Sequence, residues 1–337
     1  MTGAAGGLGQ ALLERLARRD DLGGLIGVDA AAGRTEGVTW RTADVRDPLL
    51  ADRLAGVTTV VHLATTYDGG LDGTVRRALN VRGTAALLEA ARLAGVVRAV
   101  LVTSAEVYGA LPGTPVPLPD GAPLRAEPDD GLVGDHVEVE RLAAHAVRTG
   151  LEVTILRPAT LVGGALGPAY DGTMLRQLSS PRLLAVRGIE PLWQLCHTDD
   201  LLSALELAAV GEVDGPATVA CEGWLPQTVV EELSGKRRVA LPAGVAVSTA
   251  ERLYRLGVTT GSPRELDHLQ APLVVSSERL RAAGWAPMWT NEAALRAHLA
   301  ARTGDSRTAA YTAAGATVAL LGTAALVRQT RRRRRGL

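Results

Sequence analysis

The sequence predicts an α/β fold, in which a doubly wound parallel sheet is followed by a smaller C-terminal α+β part. Two observations support this prediction. Over about the first 160 residues, short apolar runs alternate with longer stretches of helical periodicity, as in consecutive strand–helix–strand units. Glycines at positions 3, 6 and 9 stand directly before leucines with helical spacing, which is typical of a phosphate-binding turn. With 337 residues, the chain can bury the core that such a fold needs.

Each element is predicted from its own apolar pattern. We predict strands at residues 25–28, 58–63, 99–103 and 153–156, and helices at 75–93, 137–147, 200–209, 245–256 and 291–301. The alternation weakens from about residue 163. We therefore divide the chain into a nucleotide-binding domain over residues 1–162, with a later return near 194–210, a smaller substrate part over 163–302, and a tail over 303–337.

The start of the sequence lacks one expected element. A phosphate-binding turn normally follows a buried strand, because the strand fixes the turn and the next helix N-terminus holds the phosphate. Here only Met1 and Thr2 precede Gly3. We therefore expect the first strand to be missing from this sequence, and the natural protein to begin upstream with a short apolar strand.

Composition excludes several classes of protein. The 36 basic and 36 acidic residues cancel, so no overall field attracts nucleic acid or acidic partners. Two cysteines are too few for a disulfide scaffold and indicate a reducing compartment. The N-terminus has no charged-then-apolar secretory pattern, so a cytoplasmic location is predicted.

Seven segments identify a family resemblance. In chain order they are TGAAGGLG at 2–9, ADV at 43–45, VVHLAT at 60–65, NVRGT at 80–84, TSAEVYG at 103–109, LRPATLVGG at 156–164 and HTDDL at 197–201. Their order and spacing resemble the extended short-chain dehydrogenase/reductase family, in its NAD-dependent epimerase/dehydratase branch. The resemblance spans roughly residues 1–300 and implies a Rossmann-like domain that binds NAD.

The resemblance implies a set of cofactor-binding residues. They are Gly3, Gly6, Gly7, Leu8 and Gly9 of the phosphate loop, Asp29, Asp44, Val45, Leu63, Ala64, Thr65, Asn80, Thr103 and Pro158. Asp44 matches the family residue that meets the adenine. Asn80 starts a segment that in the family buttresses the cofactor-lining loop, which is Leu63 to Thr65 here. An asparagine there can instead bond its own backbone.

Asp29 indicates which dinucleotide binds. It lies about twenty residues past the loop, where a carboxylate accepts hydrogen bonds from the adenosine ribose and repels a 2′-phosphate. NAD is therefore favoured over NADP. The alternative is an aspartate that merely ends a strand.

The catalytic pattern departs from that of the family. The resembling enzymes use a Ser or Thr together with a Tyr-x-x-x-Lys pair, in which the Lys binds the nicotinamide ribose and lowers the pKa of the proton-transferring Tyr. Ser104 matches the family Ser, but the register of GLVGDHVEVERL at 131–142 places Leu132 at the Tyr position and His136 at the Lys position. The single lysine, Lys236, lies four residues after none of the five tyrosines.

Other groups could replace the missing pair. The titratable candidates are His136, Asp135 and Tyr108, and His136 is the most interesting because imidazole titrates near neutrality. The alternative is a solvent-facing helical histidine. A protein that binds the dinucleotide without turnover is equally compatible with the missing pair, because fold does not imply function.

The remaining histidines do not indicate a metal. His62 falls in an apolar run and is expected to be a hydrogen-bonded core residue. His197, with Asp199 and Asp200, is expected to form a loop and helix N-cap. The six histidines have no ligand spacing, so we predict no metal site.

The tail predicts contact with a membrane. From Thr308 to Val327 there is no charge, and about twenty residues at ~1.5 Å rise would match a ~30 Å hydrocarbon layer. The stretch is rich in Ala, Thr and Gly, so a helix lying on the inner leaflet, with Arg331 to Arg335 on anionic lipid, is favoured over a spanning one. The alternative is an Ala-rich helix packed on its own domain. The arginine run has no interleaved aromatics, so no nucleic-acid partner is predicted.

These observations favour an NAD-dependent epimerase/dehydratase-like oxidoreductase, acting on a nucleotide-sugar or similar polyol with an atypical active site. The alternative function is a non-catalytic NAD-binding sensor or scaffold near the membrane. The sequence leaves a homodimer open.

Overall fold

The computed structural model describes residues 1–68, 71–163, 173–178, 180–245, 248, 252 and 271–305. The tail segment from Thr308 to Arg335 and most of the helix predicted at 245–256 lie outside these residues.

The first half of the chain alternates strands and helices, as predicted. The elements are α1 (Gly7–Leu16), β1 (Leu25–Asp29), β2 (Val38–Thr42), α2 (Leu50–Arg53), β3 (Thr59–His62), α3 (Gly73–Arg77), a π-helical segment (Ala78–Gly83), α4 (Thr84–Ala94), β4 (Arg98–Val102), a 3₁₀ turn (Ala105–Tyr108), α5 (Leu132–Arg148) and β5 (Glu152–Pro158). Strand β2 has no counterpart among the predicted strands. Its mixed sequence, VTWRT, has half-buried and exposed positions and no apolar run.

The second half has shorter strands. Its elements are β6 (Thr160–Val162), α6 (Thr173–Gln177), β7 (Leu183–Val186), β8 (Leu192–Trp193), β9 (Leu195–His197), α7 (Thr198–Val210), β10 (Pro216–Val219), β11 (Leu225–Pro226), α8 (Gln227–Ser234), β12 (Arg238–Leu241), α9 (Glu278–Ala282) and α10 (Asn291–Asp305). These strands have two to four residues, which is too short for a sequence period to show.

The central sheet is parallel throughout. Its order is β2, β1, residues 1–2, β3, β4, β5 and β10. Thr2 pairs with Val28 on one side and with His62 on the other. The Val28 amide donates to the Met1 carbonyl at 2.7 Å, and the Thr2 amide donates to the Val61 carbonyl at 3.0 Å. The expectation that the first strand is missing is corrected to this extent: residues 1–2 occupy its central place in the sheet.

Helices cover both faces of this sheet, because alternate residues of a strand point to opposite faces. On β4, Val100 and Val102 pack in one core with leucines of α1 and α7. Ala99 and Leu101 pack in the other core with apolar residues of α4 and α5. This arrangement confirms the predicted doubly wound parallel sheet.

The predicted helix at 75–93 is present as three joined segments. Asn80 and Gly83 lie in the π-helical segment between α3 and α4, and both are buried. A side chain at Gly83 would press on the Val45 side chain, at 2.9 Å from its Cγ1. The glycine therefore lets Val45 and the loop after β2 approach this helix.

The C-terminal part has its own small core. Strands β6 and β9 pair in parallel, as do β7 and β12, while β8 and β11 pair antiparallel. Trp193, Leu183 and Leu295 lie in this core. Among the described residues, no helix combines the length and the apolar character that crossing a bilayer requires.

Candidate functional site

The predicted site residues gather at one edge of the central sheet. Residues 1–2, β3, β4 and β5 are parallel neighbours, so their carboxyl ends lie side by side. The loops that leave these ends begin at Gly3, Leu63, Thr103 and Ala159. In doubly wound sheets, ligands bind in the crevice outside this edge.

The glycine loop allows close contact between backbones. Gly3 has a φ of +67°, and a Cβ there would overlap the Leu63 carbonyl. A Cβ on Gly9 would overlap the Gly3 carbonyl oxygen and lie 2.9 Å from the Ala4 Cα. Helix α1 starts directly after Gly6, which has no capping side chain, so the first amides of α1, including those of Gly7 and Leu8, face the crevice without a side-chain cap. These features fit the pyrophosphate of a dinucleotide.

Asp29 lies against this loop. One of its carboxylate oxygens accepts a hydrogen bond from the Ala5 amide at 2.9 Å, and the other accepts from the Ala30 amide at 2.7 Å. The side chain is therefore more than a strand end, because it connects β1 to the glycine loop. A half-buried carboxylate at this place fits the ribose hydroxyls of the adenosine half of a dinucleotide.

Asp44 and Val45 follow β2 at the adenosine side of the crevice. Asp44 is exposed, and both of its oxygens accept hydrogen bonds from the Arg46 guanidinium, at 2.8 and 2.7 Å. Those hydrogen bonds hold the pKa of Asp44 at about 2. Val45 is buried against Gly83.

The loop after β3 is held by the predicted buttress. The Asn80 side chain accepts a hydrogen bond from the Thr66 amide at 2.8 Å and donates one to the Thr66 carbonyl at 2.9 Å. These two hydrogen bonds fit the buttressing role expected for Asn80. The loop includes Leu63, which is buried, and Ala64 and Thr65, which are half-buried.

A cavity opens between this loop and the ends of β4 and β5. Its lining includes Tyr67, Ser104, Glu106, Leu132, His136 and Pro158. The rest of the wall is mainly apolar, and no lysine or arginine lines the cavity in the described part of the chain.

Helix α5 begins earlier than predicted and projects two of these side chains. The helix starts at Leu132, because Asp129 accepts hydrogen bonds from the amides of Gly131 and Gly134 at 3.0 and 3.1 Å. Leu132 and His136 are four residues apart, so they share one face of the helix. Both line the cavity, which agrees with the helix register predicted from the sequence.

His136 is buried rather than solvent-facing, so the exposed alternative is wrong. Only 3% of the residue is exposed, and its Nδ1 has no hydrogen-bond partner within the described residues. Burial and the positive charge of Arg76 lower its pKa to about 3. The imidazole is therefore neutral near pH 7 and supplies no positive charge to the cavity.

Asp135 does not face the cavity. It is fully buried, and it accepts hydrogen bonds from Arg76 at 2.8 Å and from Arg77 at 3.3 Å. The carboxylate holds α5 against α3, which corrects its inclusion among the acid/base candidates. Its neighbour His136 points to a different environment, because adjacent helix residues project about 100° apart.

Ser104 and Tyr108 also separate in the structure. Ser104 lines the cavity, and its Oγ accepts a hydrogen bond from the Glu106 amide at 3.2 Å. Tyr108 is buried, donates to the Asp120 carbonyl at 2.8 Å and accepts from Arg157 at 2.8 Å. Burial raises the pKa of Tyr108. Its hydroxyl is committed to the protein interior, which corrects its place as a catalytic candidate.

Beneath the cavity lies a buried polar network that the sequence did not reveal. Arg157, next to Pro158, donates two hydrogen bonds of 2.8 Å to the Glu140 carboxylate, and Thr103 donates to the same carboxylate at 2.8 Å. This network fixes the ends of β4 and β5 against α5. Tyr67 and Glu106 are further lining residues that were not among the predicted site residues. A sequence signal for Tyr67 was its place two residues after the VVHLAT segment.

The two remaining histidine predictions are confirmed. His62 is buried between the hydroxyls of Thr2 and Thr84, at 2.7 and 3.1 Å. His197 caps α7 by accepting a hydrogen bond from the Asp199 amide at 3.2 Å.

Comparisons with known proteins agree with this geometry. The model of the NAD dependent epimerase/dehydratase family matches residues 1–218. An uncharacterized protein of Mycobacterium tuberculosis is 33% identical over 308 residues, covering 86% of this chain and 80% of that protein. A 3-diazoavenalumate denitrifying reductase of a Streptomyces species is 31% identical over 265 residues, covering 73% of this chain and 84% of that protein. The structure of MoeE5 in complex with UDP-glucuronic acid and NAD is similar in fold, with a TM-score of 0.66 at 20% identity, covering 90% of this chain and 98% of that one.

Proposed function

The chain belongs to the NAD-dependent epimerase/dehydratase family, whose cofactor is NAD, and we propose that it is an oxidoreductase acting on a nucleotide-sugar or similar polyol through an altered proton-transfer site. The observation that carries the proposal is the cavity at the ends of β4 and β5, which Ser104, Leu132 and His136 all line. The fold that the chain shares with a neighbour bound to UDP-glucuronic acid makes a nucleotide-sugar the first substrate class to test.

The chain's own residues would hold NAD along the sheet edge. The first amides of α1 would donate hydrogen bonds to the pyrophosphate, and the absence of a Cβ at Gly3 and Gly9 would let the backbone approach it. Asp29 would accept hydrogen bonds from the adenosine ribose, and its charge would repel a 2′-phosphate. When bound, NAD supplies hydride transfer at its nicotinamide ring.

His136 would take over one of the two roles of the family lysine. The His136 side chain lines the cavity and its Nδ1 has no partner among the described residues, so the imidazole would hydrogen-bond a ribose hydroxyl at the nicotinamide end. A buried polar atom without a partner costs free energy, so a ligand that satisfies it is favoured. The neutral imidazole leaves the other role, a positive charge that lowers the pKa of a phenol, unfilled.

Ser104 would orient the substrate hydroxyl, whereas Leu132 transfers no proton. General acid/base catalysis is typically worth ~10²–10⁴-fold in rate. The helix position that carries the proton-transferring tyrosine in the family matches the apolar Leu132 here. We therefore expect slow turnover on substrates of typical epimerases unless another group lining the cavity transfers the proton.

The proposal is tested with the purified full-length protein. Calorimetry measures the affinity for NAD, and absorbance at the wavelength of reduced nicotinamide follows turnover with UDP-glucose and UDP-glucuronic acid. We expect NAD binding and a slow, substrate-dependent change in absorbance. NAD binding with no change for any nucleotide-sugar would contradict the proposed activity.

A second candidate is a non-catalytic NAD-binding sensor or scaffold, for which the apolar Leu132 at the proton-transfer position is the specific observation. The tail from Thr308 to Val327, with Arg331 to Arg335, would keep it near a membrane. Deleting residues 308–337 should then release the protein from anionic vesicles while NAD binding persists. Full-length protein that stays in solution at low salt beside such vesicles would rule out the membrane role.

A further inference from the structure

A tyrosine that does not belong to the predicted site faces the cavity from the loop after β3. Tyr67 lines the cavity together with Ser104 and Leu132. Its hydroxyl donates a hydrogen bond to the Thr103 carbonyl at 2.8 Å, so the phenol oxygen lies beside the residue that precedes Ser104. Tyr67 therefore brings a phenol to the wall of the cavity where Leu132 on α5 brings none.

The position of this phenol is fixed from two sides. Asn80 holds both backbone groups of Thr66, the preceding residue, at 2.8 and 2.9 Å. The Tyr67 ring packs on the His136 ring, with centroids 5.2 Å apart and planes tilted by 53°. A phenol from the loop after β3 and an imidazole from α5 thus lie side by side in the lining of the cavity. Such a pair is positioned before any ligand binds, as catalytic groups require.

We propose that Tyr67 is the catalytic residue that transfers the proton in this site, in place of the tyrosine that α5 lacks. The inference rests on the proposed function and deepens it. The Tyr67 hydroxyl hydrogen, which bonds the Thr103 carbonyl, can turn towards a substrate oxygen by rotation about the phenol C–O bond. This rotation moves no heavy atom.

The reductive step balances with Tyr67 as the acid. The substrate carbonyl carbon gains a hydride, supplied by the reduced nicotinamide, and the carbon–oxygen π pair moves onto oxygen. That oxygen takes the Tyr67 proton to become a hydroxyl, and the phenolate that remains is reprotonated by solvent. In the reverse direction the phenolate takes the hydroxyl proton while the substrate carbon loses the hydride.

Tyr108, His136 and Ser104 are poorer proton donors than Tyr67. The hydroxyl of Tyr108 is held by Asp120 and Arg157 in the interior. His136 is neutral near pH 7, and an alcohol such as Ser104 is a weaker acid than a phenol, whose ordinary pKa is about 10. Among the described residues, Tyr67 is the tyrosine that lines the cavity.

The first experiment measures proton transfer in the full-length protein. NADH oxidation is followed with UDP-4-keto-6-deoxyglucose as the carbonyl probe, for the wild type, Tyr67→Phe and the matched control Tyr108→Phe. We expect Tyr67→Phe to lower kcat by ~10²-fold or more with KM and NADH affinity within about threefold. Tyr108→Phe also removes one phenol hydroxyl, but from a tyrosine outside the cavity. The Tyr108→Phe protein, once shown to be folded, should therefore keep its kcat within a few-fold of the wild type.

The second experiment locates the phenol without relying on turnover. Nitration of tyrosines with tetranitromethane gives nitrophenols whose ionisation is visible, and the Tyr67→Phe protein identifies the signal of Tyr67. A positive nicotinamide ring within ~4–6 Å should lower the pKa of the Tyr67 nitrophenol by about one unit or more in the NAD⁺ complex relative to the NADH complex, because it stabilises the phenolate.

The outcomes separate the two proposals. A wild type that oxidises no NADH with the probe would defeat the proposed function and, with it, proton transfer by Tyr67. Wild-type turnover that survives in Tyr67→Phe would overturn the Tyr67 assignment alone. Equal nitrophenol pKa values in the NAD⁺ and NADH complexes would also overturn it, because the phenol would then lie away from the nicotinamide.

Discussion

Glu140 on α5 and Arg157 at the end of β5 form a buried ion pair with two hydrogen bonds of 2.8 Å each. Their side chains are only 5% and 6% exposed. The Glu140 carboxylate also accepts a hydrogen bond from Thr103, so one charged pair joins two strand ends to the helix that carries Leu132 and His136. This connection fixes α5 at the strand ends beside the cavity.

Removing one member of this pair should be strongly destabilising. Arg157→Met leaves the Glu140 charge buried without its partner, so we expect a loss of about 3–5 kcal/mol in the free energy of unfolding. The double variant Glu140→Leu/Arg157→Met replaces both charges with apolar groups and should recover much of that loss. Urea denaturation monitored by circular dichroism measures both. A single variant as stable as the wild type would show that the pair is not the structural connection described here.

The glycine loop should tolerate no side chain at Gly9. A helical Gly→Ala change usually stabilises by about 0.5–1 kcal/mol. At Gly9, however, the new Cβ would overlap the Gly3 carbonyl oxygen, so Gly9→Ala should displace the loop, weaken NAD binding at least tenfold and lower the Tm. Calorimetry and thermal melting measure these effects.

Gly23→Ala is the matched control for this change. Gly23 has no atom within 4 Å of an added Cβ, so the variant should bind NAD like the wild type. If Gly9→Ala also bound NAD normally, the loop would not approach a dinucleotide as described.

Cofactor choice should depend on the charge of Asp29. Asp29→Ala removes the acceptor for the ribose and the group that repels a 2′-phosphate, so NAD should bind more weakly and NADP relatively better. Asp29→Asn keeps an oxygen for the Ala5 amide and separates the loss of charge from the loss of loop contact. Fluorescence titration with NADH and NADPH gives the ratio of affinities. A wild type with equal affinity for both would refute the assignment.

The sequence indicated the local features of the candidate site that depend on neighbouring residues. The glycine spacing, the aspartate at the end of β1 and the register of α5 each lie within one short segment, and the predicted fold, family and NAD cofactor are confirmed. Side-chain direction was harder to predict. Tyr108 lies only four residues after Ser104, but the 3₁₀ turn between them directs its ring into the interior.

Partners distant in sequence were not predictable. Glu140 and Arg157 are 17 residues apart and meet only because β5 folds back beside α5. Tyr67 meets His136 across 69 positions because the loop after β3 and the first turns of α5 lie at one sheet edge. Such pairs depend on the sheet order, which a single apolar pattern does not determine.

Two buried histidines should make stability depend on pH. Burial lowers the pKa of His136 from 6.5 to about 3 and that of His62 from 6.5 to about 4. The unfolded chain therefore binds protons that the folded one does not, so stability is full above about pH 6.5 and falls as the pH drops towards 4. Each histidine contributes at most about 1.4 kcal/mol per pH unit.

Urea denaturation between pH 7.5 and about pH 5 measures this slope. His136→Gln should flatten it, because one of the two buried imidazoles is gone. His145→Gln is the matched control on the same helix, since His145 is exposed. Equal slopes for the wild type and His136→Gln would mean that His136 is already protonated in the folded protein.

The last prediction concerns the two helix positions, Leu132 and His136, that we propose stand in place of the family's Tyr and Lys. Leu132 and His136 both line the cavity, so the double change Leu132→Tyr/His136→Lys should place a phenol and an ammonium one helical turn apart beside Ser104. The ammonium would lower the pKa of the phenol and hydrogen-bond the ribose, so in a Tyr67→Phe background, where the proposed wild-type proton donor is gone, we expect the double change to raise turnover of UDP-glucose by ~10²-fold or more. Leu132→Phe/His136→Lys is the control, because it adds the ring without the hydroxyl and should give no gain. His136→Ala alone should weaken NAD binding and reduce any natural activity, since the ribose loses its buried partner. Equal turnover for the phenol and phenyl variants would mean that α5 does not present this position to the substrate, and the register that underlies the site would then be wrong.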